Sequence, residues 1–151
     1  VVFEDRVHVD AEITRVWDLL LDVNRFAACM PGVEQVTQVD DRTFDGVISA
    51  KVGPMSGKFS FRAHIVESKP PNELLAKVEG SDSVTKSVLT VDMDMTLASP
   101  TPDTTDLAYK AVVEVKGRLA ILGDMVLRAT AGLLLNDFGK RLQQQLAAEG
   151  N

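Results

Sequence analysis

The side chains here that could move a proton, attack a carbonyl or hold a metal are few: two histidines, one cysteine and scattered carboxylates. His64 alternates with Lys58, Ser60 and Arg62, and His8 with Glu4 and Arg6. A two-residue repeat sends alternate side chains to opposite faces of a strand, so both imidazoles fall on a polar, solvated face. Neither has a sequence neighbour that would complete a catalytic triad or a pair of metal ligands. Cys29 precedes Met30-Pro31-Gly32 with no cationic cluster to favour its thiolate, and reads as a small buried hydrophobe. Glu73, Glu79, Asp92 and Asp94 alternate with apolar residues, which puts them on a wet face rather than in a cleft where paired carboxylates do acid–base work. No residue is assigned a catalytic role and no metal site is expected.

Polar groups in the inward registers are hydroxyls: Tyr109, Thr85, Ser87 and Thr130. The Tyr109 hydroxyl needs either a core hydrogen bond or a polar ligand atom, and the sequence leaves both open. Met30, Met55, Met93, Met95 and Met125 add flexible apolar bulk, suited to gap filling or to an adaptable cavity wall.

These residues are positioned by a legible order of elements. Val2 to Val9 alternates as a strand. Ala11 to Leu21 changes to helical spacing, with Ile13, Val16, Trp17, Leu20 and Leu21 on one face and Asp10 placed to cap it; Val23 to Ala28 reads as a second short helix. The break at Pro31-Gly32 opens a run of about eighty residues at period two. Phe44, Gly46, Ile48, Ala50 and Val52 share a face, as do Phe59, Phe61, Ala63 and Ile65. Leu89, Val91, Met93, Met95 and Leu97 follow, then Leu107, Tyr109, Ala111, Val113 and Val115. Short turns between such strands predict an antiparallel meander with one apolar face. The segment from Arg118 to about Ala148 is the cover for that face: Leu119, Leu122, Val126, Ala129 and Leu133 form one row, and Leu127, Ala131, Leu134, Phe138 and Leu142 another. Its far end, with Lys140, Arg141 and three glutamines, is expected to emerge into solvent.

Bulk properties exclude several function classes. The chain has 151 residues, suiting one domain (residues 1–151), and a net charge of −6 that opposes nucleic-acid binding. One cysteine excludes an intrachain disulfide and is compatible with a reducing compartment. The most apolar stretch, Leu119 to Leu135, is interrupted by Asp124 and Arg128, so a membrane span is not expected.

The element order resembles the helix-grip fold of the START and Bet v 1-like (SRPBCC) superfamily: an α+β domain whose curved antiparallel sheet of about seven strands wraps a long C-terminal helix. More specifically, Val16-Trp17-Asp18-Leu19-Leu20-Leu21-Asp22 with Met30-Pro31-Gly32-Val33, Val52-Gly53-Pro54-Met55 with Lys58-Phe59, and Val115 to Gly123 resemble segments of the carbon monoxide dehydrogenase CoxG family. The Gly80 to Ser87 stretch departs from it, keeping only the first glycine of a Gly-rich region.

The resemblance implies a carrier without bond chemistry of its own. Its cavity, between sheet and helix, would hold an isoprenoid quinone such as menaquinone or ubiquinone, or another lipid, as a non-covalent ligand. The implied lining is Trp17, Phe26 and Met30 from the helical segment; Phe44, Ile48, Phe59, Phe61, Ala63, Val91, Met93, Met95, Tyr109 and Ala111 from the sheet; and Leu122, Met125, Val126, Ala129 and Leu133 from the last helix. Pro31, Gly32, Gly53, Pro54 and Met55 would form the rim. The implied partner is a carbon monoxide dehydrogenase-type molybdenum hydroxylase, and the implied location is cytoplasmic, peripheral at the inner face of the cell membrane. Two alternatives stand beside this reading: a cyclase or aromatase acting on a polyketide-type substrate, and an assembly or recruitment factor for the dehydrogenase.

Overall fold

The alternating runs pair as seven strands in a single antiparallel sheet, ordered β1-β7-β6-β5-β4-β3-β2, in a computed structural model that describes residues 1–149. The strands are β1 Val2–Val9, β2 Val33–Asp40, β3 Thr43–Val52, β4 Met55–Lys69, β5 Glu73–Asp82, β6 Ser87–Thr101 and β7 Thr104–Lys116. Between β1 and β2 lie α1 Ile13–Leu21 and α2 Val23–Cys29; after β7 a 3-10 turn, Arg118–Leu122, leads into α3 Gly123–Glu149. This is the α+β, helix-grip order expected, with the first strand closing against the last.

Helix α1 starts later than its periodicity predicted. The Ala11 carbonyl accepts a 2.8 Å bond from the buried Thr105 hydroxyl on β7, which holds the chain extended past Asp10. Glu12 stands at the cap position and makes no side-chain cap bond. Asp22 instead caps α2, accepting from the Asn24 and Arg25 amides at 3.1 and 3.2 Å.

The core is divided. One apolar cluster joins α1, α2 and the C-terminal half of α3 to one end of the sheet, through Val16, Leu19, Leu97, Leu107, Leu142 and Leu146. A second, smaller cluster at the other end joins Val52, Phe59 and Leu119 to Leu122 and Val126.

Helix α3 reverses the expected polarity of its two halves. Its polar C-terminal half is the buried one: Phe138, Leu142 and Leu146 are 2%, 0% and 2% exposed. Arg15 donates to the Leu146 carbonyl at 2.8 Å, and Arg25 pairs with Glu149. The apolar N-terminal half contains no buried residue, and Met125 and Leu133 are 84% and 70% exposed. The physical reason is the socket. Helices α1 and α2 and the adjoining strand ends surround the last turns of α3, where Lys140, Arg141, Gln143 and Gln144 occupy outer positions and a narrow apolar stripe is enough. Sequence spacing marks a stripe; it does not say how far along the helix the sheet reaches.

Candidate functional site

Between the two clusters the inner face of the sheet carries a row of apolar side chains that nothing fully covers. The pairing registers place Phe44 beside Ala63, Ala63 beside Val78, Val78 beside Val91 and Val91 beside Val113. All five are half-buried, and Ala63, Val78, Val91 and Val113 belong to neither cluster. Phe61 lies alongside the row. Its ring extends over Gly46 on β3, where an added Cβ would stand 2.6 Å from the ring tip, so the ring can lie along the sheet. The result is a trough floored by apolar groups, with the loose half of α3 above it.

Three contacts hold that half of the helix in place. Near its start, Val126 packs against Gly53 in the β3–β4 turn; a Cβ at Gly53 would lie 3.1 Å from the Val126 Cγ1. At mid-length Arg128 donates to the Val2 carbonyl at 3.2 Å and stands 5.7 Å from the centre of the Phe3 ring. The third is the socket around the C-terminal turns. An apolar face held at intervals rather than packed throughout leaves the floor accessible.

The expected lining is sorted by this geometry. Phe61, Ala63, Val91 and Met93 are half-buried along the trough, with Phe44 and Ile48 at its β3 side. Trp17, Met95, Tyr109 and Ala111 are 5%, 6%, 7% and 3% exposed, and Phe59 is 6%. Phe26 and Met30 pack against the main cluster, and Phe26 meets Phe138 with ring centres 5.5 Å apart. Leu122 and Val126 pack in the small cluster. Met125, Ala129 and Leu133 do not face inward: they lie on the exposed side of α3, which meets the sheet through Leu127 and Leu135 instead. The row that included them was one helical step out of phase with the observed contact face.

The rim residues divide too. Gly53 (φ 60°), Pro54 and Met55 form the turn against the start of α3. Gly32 (φ 87°) sits against β3 at Ser49, whose amide donates to the Gly32 carbonyl at 2.9 Å. A Cβ there would lie 2.2 Å from the Ser49 carbonyl oxygen, which explains glycine at this position. Pro31 is half-buried beside it.

The polar residues are mostly occupied. Thr85 and Ser87 are buried, but the Thr85 hydroxyl donates to Asp82 at 3.1 Å and the Leu119 amide donates to the Ser87 hydroxyl at 3.1 Å. Asp82 also accepts from the Lys58 and Val84 amides at 3.1 and 2.8 Å, so this network clamps the β5–β6 turn to the start of the 3-10 turn. Burial pushes the Asp82 carboxyl up, but these donors outweigh it and hold the pKa below the usual carboxylate range. Thr130 bonds back to the Val126 carbonyl at 3.0 Å. His8 bonds Asp106 at 2.8 Å and His64 bonds Thr43 at 3.1 Å, both imidazoles being on the exposed outer side. Cys29 is fully buried, and burial raises its thiol pKa. Among the described residues no group of three or more His, Cys, Asp and Glu is placed to hold a metal.

Sequence reasoning missed one residue. Asp5 lies in the same register as Phe3, Val7 and Val9, directly opposite Tyr109. The alternation itself was the signal that could have found it. Tyr109 has no hydrogen-bond partner among the described residues, and its pKa is raised by burial and then by nearby Asp5, so the hydroxyl keeps its proton at neutral pH. Both line a pocket of about 270 Å³ between β1 and α3. A larger pocket, about 370 Å³, opens beside the β3–β4 turn near Lys51, Lys58 and Asp82. That site is the weaker candidate, because the Asp82 carboxylate is spent in the clamp.

The sequence matches the carbon monoxide dehydrogenase CoxG family over residues 6–147. No curated protein matches at a significant level. A conserved protein from Geobacillus kaustophilus has a similar structure, with 21% identity, TM-score 0.91 and coverage of 98% of this chain and 96% of that one. A START superfamily protein from Mycobacterium smegmatis aligns at 15% identity and TM-score 0.74, covering 97% of each chain. The Zhui aromatase/cyclase from a Streptomyces species aligns at 13% identity and TM-score 0.73, covering 100% of this chain and 96% of that one. At these identities the likeness concerns the fold.

Proposed function

The chain belongs to the carbon monoxide dehydrogenase CoxG family, and from that premise we propose that it is a non-catalytic carrier for an apolar ligand. The observation that carries this reading is the uncovered row from Phe44 to Val113 between two separate apolar clusters. A domain selected only for stability would close that row, since each buried Val or Phe contributes about 1.5–3 kcal/mol. A flexible isoprenoid chain matches an elongated apolar floor, and burial supplies its affinity. A quinone such as menaquinone or ubiquinone is the ligand proposed, with redox chemistry left to the quinone and to a partner enzyme. That partner is a carbon monoxide dehydrogenase-type molybdenum enzyme, whose electrons the quinone would take to the respiratory chain.

Such a carrier must meet the membrane, and one end of the domain suits an anionic surface at its cytoplasmic face. Val84, Ile121 and Met125 are 80%, 82% and 84% exposed there. Their turns are joined: Gly53 touches Val126, and Gly117 packs on Lys86. Lys51, Lys86, Lys116 and Arg118 stand exposed around them in a chain whose net charge is −6. Apolar side chains ringed by cations favour an anionic lipid surface.

A cyclase-type enzyme is the second reading, favoured by the Tyr109–Asp5 pair, a hydroxyl donor beside a carboxylate. Turnover of a polyketone, lost in both Tyr109→Phe and Asp5→Asn, would establish it. The carrier is tested by titrating the purified protein with a long-tailed menaquinone. Saturable binding that raises the melting temperature is expected, and no binding overturns the proposal.

A further inference from the structure

Gly132 sits in the middle of α3 and an added Cβ would meet nothing within 4 Å. A helix-interior glycine is destabilising, and here no close packing requires it. It is flanked on the same edge of the helix by Arg128 and Asn136, one turn away on either side. These three residues form one wall of the 270 Å³ pocket, and Phe3 and Asp5 of β1 form the other. Tyr109, 7% exposed, also lines it, with its hydroxyl unpartnered among the described residues. A buried hydroxyl without a protein partner, beside a space held open by a glycine, is a site built for something polar and flat.

We propose that this pocket is the head-group subsite, and that it takes a planar, carbonyl-bearing ring whose apolar tail lies in the trough. Tyr109 donates to a ring carbonyl. Asn136 and the free N–H groups of Arg128 supply further donors, and the Phe3 ring offers an apolar face. A quinone has only acceptors, which matches these donors; its two-electron, two-proton reduced form carries hydroxyls, for which the Asp5 carboxylate is an acceptor. The subsite rests on the carrier reading and gives it a direction: head at the β1 edge, tail between sheet and helix.

The test uses menadione, a naphthoquinone without a tail, and 2-methylnaphthalene, its carbonyl-free counterpart, in calorimetric titrations of the full chain. Wild type is expected to bind menadione the more tightly of the two. Tyr109→Phe should weaken menadione about two- to tenfold and leave 2-methylnaphthalene unchanged. Gly132→Leu should fill the pocket and abolish menadione binding. Gly132→Ala should raise the melting temperature by about 2–4 °C, showing that the glycine is not needed for folding. Failure of wild type to bind menadione, or an equal effect of Tyr109→Phe on both compounds, overturns the subsite. If a long-tailed menaquinone still binds in that case, the carrier reading stands without it.

Discussion

Leu133 and Phe138 are separated by little more than one turn of α3, yet the first is 70% exposed and the second 2%. The helix passes from bridging the sheet to being seated in it over that distance. Everything proposed about function follows from the bridging half, and most of the stability carried by the helix comes from the seated half.

Truncation should expose this asymmetry. Leu142→Ala, at a fully buried position, is expected to cost about 2–5 kcal/mol, whereas Leu133→Ala should stay within roughly 0.5 kcal/mol. Urea unfolding of both variants measures it; similar losses would mean that the first half of α3 is packed as tightly as the second.

Asp82 makes stability depend on acid. Its carboxyl has a folded pKa below the usual value, so its contribution is fully present above the unfolded value of about 4 and is lost as pH falls through the folded pKa. Melting temperatures measured downward from pH 6 should fall less steeply for Asp82→Asn than for wild type. Asp82→Ala should cost about 1–3 kcal/mol at neutral pH, because the Lys58, Val84 and Thr85 donors lose their acceptor. Parallel acid limbs would assign the acid sensitivity elsewhere.

Membrane contact should depend on Met125. Co-sedimentation with phosphatidylglycerol vesicles is expected for wild type and not with phosphatidylcholine alone. Met125→Glu should weaken it about tenfold or more without lowering the melting temperature. Equal binding by the variant, or its conversion of a wild-type dimer to monomer, would assign this surface to something other than lipid.

Much of the fold was legible because strand alternation is a local property. Phe59, Phe61, Ala63 and Ile65 read as one face from their spacing alone, and the paired registers agree. The helix was less legible. Its apolar residues nearly encircle the first half, so by spacing Ala129 and Leu133 are as fit for the interior as Leu127 and Leu135; only the anchors at Gly53, Phe3 and the α1–α2 socket choose the face. The gap between the clusters was not legible at all, since it depends on how high α3 stands above the sheet. Asp5 was overlooked because a carboxylate in an apolar register looks like an exception. Its partner, Tyr109, comes from more than one hundred residues further along the chain.

The most direct test is to fill the trough. Ala63 lies mid-row between Phe44 and Val78, and a phenyl ring there would occupy the floor without entering either cluster. Long-tailed menaquinone titrated into wild type and Ala63→Phe, with melting temperatures alongside, should give saturable binding to the first and at least about a tenfold loss in the second, with unliganded stability unchanged or raised. Equal affinity in the two proteins would contradict a carrying site between the sheet and α3.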